Sequence, residues 1–181
     1  MALDVAALSS CTRCRLSASR TRVVIGTGPN DATLLLVGEA PGRQEDEGGA
    51  PFIGRSGQLL FRLIEEEVGL LREQCYVTNT VKCRPPSNRT PARDELEACR
   101  PWLDAQLADL APRVTLALGL TAAREVLGAT LPMAAVHGRA RHLGTGAGIA
   151  TYHPAAALRD PALVAVMRAD LAVVRAVLEA S

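Results

Sequence analysis

The chain has 181 residues, of which 48% are hydrophobic and 22% charged, and its formal net charge at pH 7 is +1. That length suits a single domain, spanning 1–181, that buries a core without disulfide staples, and the balance excludes wholesale disorder. The near-zero charge excludes a polycation, so nucleic acid would have to be held by local patches.

The segment MALDVAALSS lacks the basic start and long apolar run of a signal peptide, and the longest apolar runs, such as Thr33–Val37, are far too short to span a bilayer. A cytoplasmic protein with no membrane partner is the expectation. Nineteen basic residues are Arg and only Lys82 is Lys, in a chain that is also rich in Ala. Genomic composition accounts for that bias. Its chemical consequence is that a Schiff-base amine could come only from Lys82 or the N-terminus.

In chain order, Thr33–Gly38 reads as the first buried strand, a short apolar run closed by turn chemistry. Ser56–Val68 follows as a helix with Leu59, Leu60, Leu63, Ile64 and Val68 on one side. Tyr76–Val81 is the second strand. Ala92–Leu110 is a helix with Leu96, Cys99, Leu103 and Leu110 on one side, Thr90 as N-cap, Pro91 at its first position and a kink at Pro101. Val114–Gly119 is the third strand and Thr121–Leu127 a short helix. A Gly/Arg-rich, hairpin-like stretch holds His137 and His142. Ile149–Tyr152 is the fourth strand, and Ala162–Glu179 the last helix, with Val164, Met167, Leu171, Val174 and Leu178 in phase. Such alternation predicts a mainly parallel sheet with helices on both faces, and ligands bind beyond the carboxyl ends of such strands.

Three loops at those ends hold an unusual set of residues. The first runs Gly38-Glu39-Ala40-Pro41-Gly42, continues through Glu45 and Asp46, and reaches Phe52, Ser56 and Gly57, where amides at a helix start could hold a phosphate. Phe52 is one of only five aromatic residues and lies between Pro and Gly in a loop. In the second, Asn79 interrupts a strand although Asn is a poor strand former; a satisfied buried amide and an amide aimed at a ligand edge are the two readings. In the third, His153 follows a strand at the carboxyl edge, a position that favours a functional role over the structural one more common for a lone His. Of the five cysteines, Cys11 and Cys14 form C-x2-C, Cys83 and Cys99 bracket a loop and a helix start, and Cys75 packs as a hydrophobe. Four thiolates from two distant segments could bind zinc or an Fe–S cluster, or could be ordinary buried thiols.

Taken together, GEAPG with Glu45-Asp46, PFIGRSGQLL at 51–60, YVTNTVKCRPPSNRTP at 76–91, HPAAALR at 153–159 and the cysteine framework resemble the uracil-DNA glycosylase superfamily, most closely family 4, its iron–sulfur bacterial and archaeal members. The resemblance implies a three-layer α/β/α fold around a four-stranded parallel sheet. It implies a structural 4Fe–4S cluster on Cys11, Cys14, Cys83 and Cys99, with zinc as the alternative, tying down the N-terminal segment. It implies a monomeric, nucleoid-associated repair enzyme that flips uracil out of single- or double-stranded DNA and hydrolyses its glycosidic bond without a lyase step. Phe52 would stack on the base, Asn79 would read its edge, His153 would donate to O2, and Glu39 and Ala40 would contact uracil and water.

The sequence departs from the superfamily pattern in several places. Ala40 stands where another branch has a water-positioning Asp, so Glu39, then Glu45, is the candidate, with Asp46 further off. Gly42 stands where that branch has a Tyr that excludes thymine. Ala155 replaces a phosphate-holding Ser and Ala157 a bulky Leu, leaving Leu158 and Arg159, which predicts a preference for single-stranded or mismatched uracil. Residues 84–98 lack the His by which a related branch captures DNA covalently, so hydrolysis is favoured. Arg84, Arg89, Ser56, Gly57 and Arg159 are the DNA-backbone candidates. The competing readings are a non-catalytic, metal-stabilised module for single-stranded nucleic acid, and a glycosylase for hypoxanthine or xanthine.

Overall fold

Four short, mostly apolar runs build the centre of the protein. In the computed structural model, which describes residues 3–144 and 146–180, they are β1 (Leu34–Gly38), β2 (Cys75–Asn79), β3 (Val114–Leu118) and β5 (Gly146–Thr151), with a short β4 (Arg141–Leu143) before the last. The sheet order is β2-β1-β3-β5-β4; β1 pairs in parallel with β2 and β3, and β3 with β5. The expected four parallel strands are therefore present, and a fifth adds an antiparallel edge against β5. It escaped the sequence reading because its residues are Arg141, His142 and Leu143, largely exposed and without a buried alternation.

Strand geometry sends successive side chains to opposite faces. Leu34 and Leu36 enter one apolar cluster with α3 (Arg55–Val68) and α8 (Ala162–Glu179), whereas Leu35 and Val37 enter another with α4 (Arg93–Leu110) and α5 (Leu120–Leu127). All four are fully buried, and each such side chain contributes about 1.5–3 kcal/mol. The result is the three-layer α/β/α sandwich. Shorter helices are α1 (Val5–Ser9), α2 (Arg43–Gly48), α6 (Met133–Val136) and α7 (Pro154–Arg159). Among the described residues no helix is long and apolar enough to cross a membrane.

The start of one helix differs from the sequence reading. Helix α4 starts at Arg93 rather than after Thr90, because the Glu95 carboxylate reaches back to accept from the Ala92 amide at 2.8 Å and satisfies the first turn itself. It also continues without interruption through Pro101. Strand β2 ends at Asn79, two residues short of the expected Val81.

Candidate active site

The carboxyl ends of β1, β2, β3 and β5 open into one cleft of about 550 Å³, within the usual range for a small-ligand site. Nine of the sequence candidates line it: Glu39, Ala40, Glu45, Phe52, Ser56, Asn79, Arg89, His153 and Arg159. Gly57, Arg84 and Leu158 do not. The cleft thus lies where the strand-end rule points.

Asn79 closes the floor. It is the last residue of β2, only 1% exposed, and its side-chain Oδ1 has no hydrogen-bond partner among the described residues. An unpartnered buried acceptor costs about 1–3 kcal/mol, so the fold bears a penalty that a ligand N–H would relieve. The backbone beneath is pinned: Lys82 Nζ donates to the Asn79 carbonyl at 2.6 Å and to Thr78 Oγ1 at 2.7 Å. Lys82 is completely buried and turned away from the cleft, so it offers no amine there; the N-terminal amine lies outside the described residues. Opposite Asn79, Gly38 leaves the necessary room. A Cβ at that position would stand 2.4 Å from Asn79 Oδ1 and 2.6 Å from Phe52 Cζ.

Phe52 is buried and holds a left-handed backbone, φ +52°, a conformation that costs a non-glycine residue about 1–3 kcal/mol. Its ring centroid lies 5.7 Å from that of His153, tilted by 31°. His153 caps α7, its Nδ1 accepting from the Ala155 amide at 3.1 Å. That bond assigns the proton of the neutral ring to Nε2. Burial, with a smaller contribution from the Arg159 charge, pushes the imidazole down to about 4.

The carboxylates differ in their attachments. Glu39 Oε2 accepts from the Thr121 hydroxyl at 2.6 Å, while its carbonyl accepts from Thr80 Oγ1 at 2.6 Å. Glu45 Oε1 accepts from the Gly54 amide at 3.1 Å, ahead of α3. Asp46 is buried and holds the Thr21 and Arg22 amides instead, outside the cleft.

At the rim, Arg89 is bidentate to Glu95, with both distances under 2.9 Å, and Arg15 Nε shares the same carboxylate at 2.8 Å. Led by the Arg89 bond, these contacts hold Glu95 down at about 2. Arg84 is tied to Asn88 Oδ1 at 2.7 Å. Gly57 is buried against the Phe52 carbonyl. Ala157 points into the main core, whereas Leu158 is 42% exposed. A Leu at 157 would load the core rather than the groove, so the Ala there says nothing about wedging DNA.

The uracil DNA glycosylase superfamily, as a sequence family, matches residues 25–175. The chain belongs to this superfamily. Among its relatives is a type-4 uracil-DNA glycosylase of Pyrobaculum aerophilum, 43% identical over 174 residues, covering 91% of this chain and 88% of the relative. Another, from Sulfurisphaera tokodaii, is 39% identical and covers 92% of this chain and 79% of its own length. A third, from Thermotoga maritima, is 43% identical with 84% and 80% covered.

In this glycosylase-superfamily chain the cysteines separate as the sequence suggested. Cys75 is fully buried in β2, and burial raises its thiol to about 11. Cys11, Cys14, Cys83 and Cys99 line a small cavity together with Arg13, Arg20 and Lys82. Arg20 Nη1 donates to Cys83 Sγ and Trp102 Nε1 to Cys11 Sγ, each at 3.3 Å. Among the described residues no three Cys, His, Asp or Glu side chains converge as ligands of a metal ion. Sequence reasoning missed Thr121, whose hydroxyl holds Glu39, and Arg72, which donates to the Pro51 and Phe52 carbonyls. Thr121 follows the third strand end and was within reach of the same rule; Arg72, in a single turn before β2, carries no local signal.

Proposed function

We propose that the protein excises uracil from DNA by hydrolysing the N-glycosidic bond, as a monomeric single domain without a lyase step. The observation that carries this reading is the orphaned Oδ1 of Asn79, a residue that lines the cleft together with Phe52 and His153. A flipped uracil presents N3–H to that acceptor and O4 to the amide's donors. Cytosine presents a bare N3 and an amino group, leaving buried polar groups mismatched. Phe52 replaces the lost base stacking.

Hydrolysis joins a water oxygen to C1′ as the C1′–N1 bond breaks, and the bonding pair leaves on the base. His153 Nε2–H stabilises the charge growing on O2, in the manner of an oxyanion-hole donor. Glu39, with Oε2 held by Thr121, offers Oε1 to orient the water and receive its proton, which ends on the uracil anion. Glu45 ranks second because Gly54 already engages it. Glu39→Gln is expected to lower the single-turnover rate by about 10²-fold or more; near-normal cleavage would remove Glu39 from this role.

The neutral His153 gives a pH signature. Above about pH 4 it needs no deprotonation to act as a donor, so the single-turnover rate should show no inflection near 6.5 from this group. The folded state disfavours its protonation, so the same group makes folding less favourable as pH falls from 6.5 towards 4. An inflection near 6.5 that disappears in His153→Gln would contradict the assignment.

For the four thiols we propose a structural 4Fe–4S cluster that ties the N-terminal segment to α4. They share a cavity without closing on one point, and two N–H groups already reach their sulfurs, as cluster sulfurs accept. A single zinc would need thiolates about 3.8 Å apart, given bonds of about 2.3 Å. Iron and acid-labile sulfide analysis separates the two. DNA contacts would come from Arg159, Ser56, Arg89 and the exposed Leu158, with Arg84 and Gly57 in supporting places.

The assay that tests the whole reading is alkaline cleavage of labelled oligonucleotides carrying uracil, hypoxanthine, xanthine or a thymine mismatch. A module that only binds single-stranded nucleic acid would cut none of them; cleavage of a purine in preference to uracil would move the specificity.

A further inference from the structure

We infer that Arg72 is a positioning residue for the uracil-stacking ring, acting through the backbone of Phe52. The inference rests on the uracil-excision reading for its kinetic consequence but not for its structural one. Phe52 sits in a left-handed conformation in the loop before α3, and a conformation of that kind persists only where the surroundings enforce it. Local sequence does not enforce it: the residue is not glycine, and Gly54 and Gly57 on its C-terminal side add freedom rather than constraint. The enforcement comes from twenty residues away.

Arg72 Nη1 donates to the Phe52 carbonyl at 2.9 Å and Nη2 to the Pro51 carbonyl at 2.6 Å. A planar guanidinium thus spans two successive carbonyls and fixes the peptide plane between them, which a lysine ammonium cannot do. Its other face lies 4.3 Å from the centroid of Phe61 on α3, so the guanidinium is itself held in place. The site is partly desolvated, and burial pushes the guanidinium below its ordinary value; hydrogen bonds made there are stronger than their counterparts in water. From the other side Gly57 closes on the same carbonyl, where a Cβ would lie 1.8 Å from the Phe52 oxygen. The Phe52 carbonyl is therefore gripped from both sides, and its ring is delivered against His153 and Gly38. Arg72 does not line the cleft and so is no binding residue.

The chain has only two phenylalanines, so ring resonances of phenylalanine-labelled protein assign readily. In Arg72→Met, which keeps the stem packed on Phe61, the Phe52 ring signals are expected to shift and broaden in a protein that still melts cooperatively, a few degrees below the native one for the two hydrogen bonds lost. Phe52 signals identical to those of the native protein would overturn the inference, whether or not uracil is cut. In single-turnover excision, Arg72→Met is expected to lose about tenfold in kcat/KM, the weight of a hydrogen bond or two. Arg72→Lys should recover part of it by keeping one bond. The double variant with Phe52→Ala should be no slower than Phe52→Ala alone, because both changes remove the same stacking. Fully multiplicative losses would place Arg72 on another path and refute the assignment. Native-like cleavage by Phe52→Ala would instead refute the stacking role in the functional reading, leaving the resonance result to decide Arg72.

Discussion

Asn79→Ala is expected to slow single-turnover excision of uracil by about 100- to 1,000-fold, since two hydrogen bonds to a buried base edge are lost together. The fold should scarcely notice. Oδ1 has no partner among the described residues, so its removal abolishes an uncompensated desolvation penalty rather than a stabilising bond. The expected combination is a melting temperature equal to or slightly above the native one with activity nearly gone. A stabilised but inactive variant is the signature of a group kept for a ligand. Retained cleavage, or a large loss of stability with activity following it, would mean that the amide serves the fold.

Gly38→Ala should fail for the opposite reason, by adding one methyl group. The new Cβ would fall 2.4 Å from Asn79 Oδ1 and 2.6 Å from Phe52 Cζ, so the Asn79 amide and the Phe52 ring must both give way. Gly38 needs no unusual φ; its requirement is purely steric. The strand around it is fully buried and cannot retreat, so overpacking should cost about 1–3 kcal/mol of stability. Excision should fall by about 10²-fold or more, as expected when reacting groups are displaced by about 1 Å. Thermal melting beside single-turnover kinetics checks both parts. A native rate in Gly38→Ala would show that Phe52 and Asn79 need not approach as closely as they do here.

What could be read from the sequence, and what could not, follows from the range of the forces. The four parallel strands were legible because full burial on both faces writes a continuous apolar run. Strand β4 was not, since an exposed edge of Arg141 and His142 leaves no periodic mark. Phe52, Asn79 and His153 were legible as oddities at strand ends, each a residue that local structure does not ask for. Their supports were not. Arg72, Thr121 and Lys82 act across gaps of 20, 82 and 3 residues respectively, and only the last is local. The start of α4 was misread because Glu95 does the capping from inside the helix, while Thr90 and Pro91 imitate a start. Ala157 was misread as a missing groove residue because the sequence cannot tell which side of a six-residue helix faces the core.

Lys82 gives the molecule an unusual property as an object of measurement. It is the chain's sole lysine, it has no exposed surface, and its nitrogen is bonded to Thr78 and to the carbonyl of Asn79. An acylating reagent offered to the folded protein therefore finds no lysine to modify. Modification of that one side chain must wait until the end of β2 separates from its surroundings, and its rate reads that local opening directly. The protein thus carries a built-in clock, at the foot of the Asn79 amide, for how often this end of the cleft comes apart.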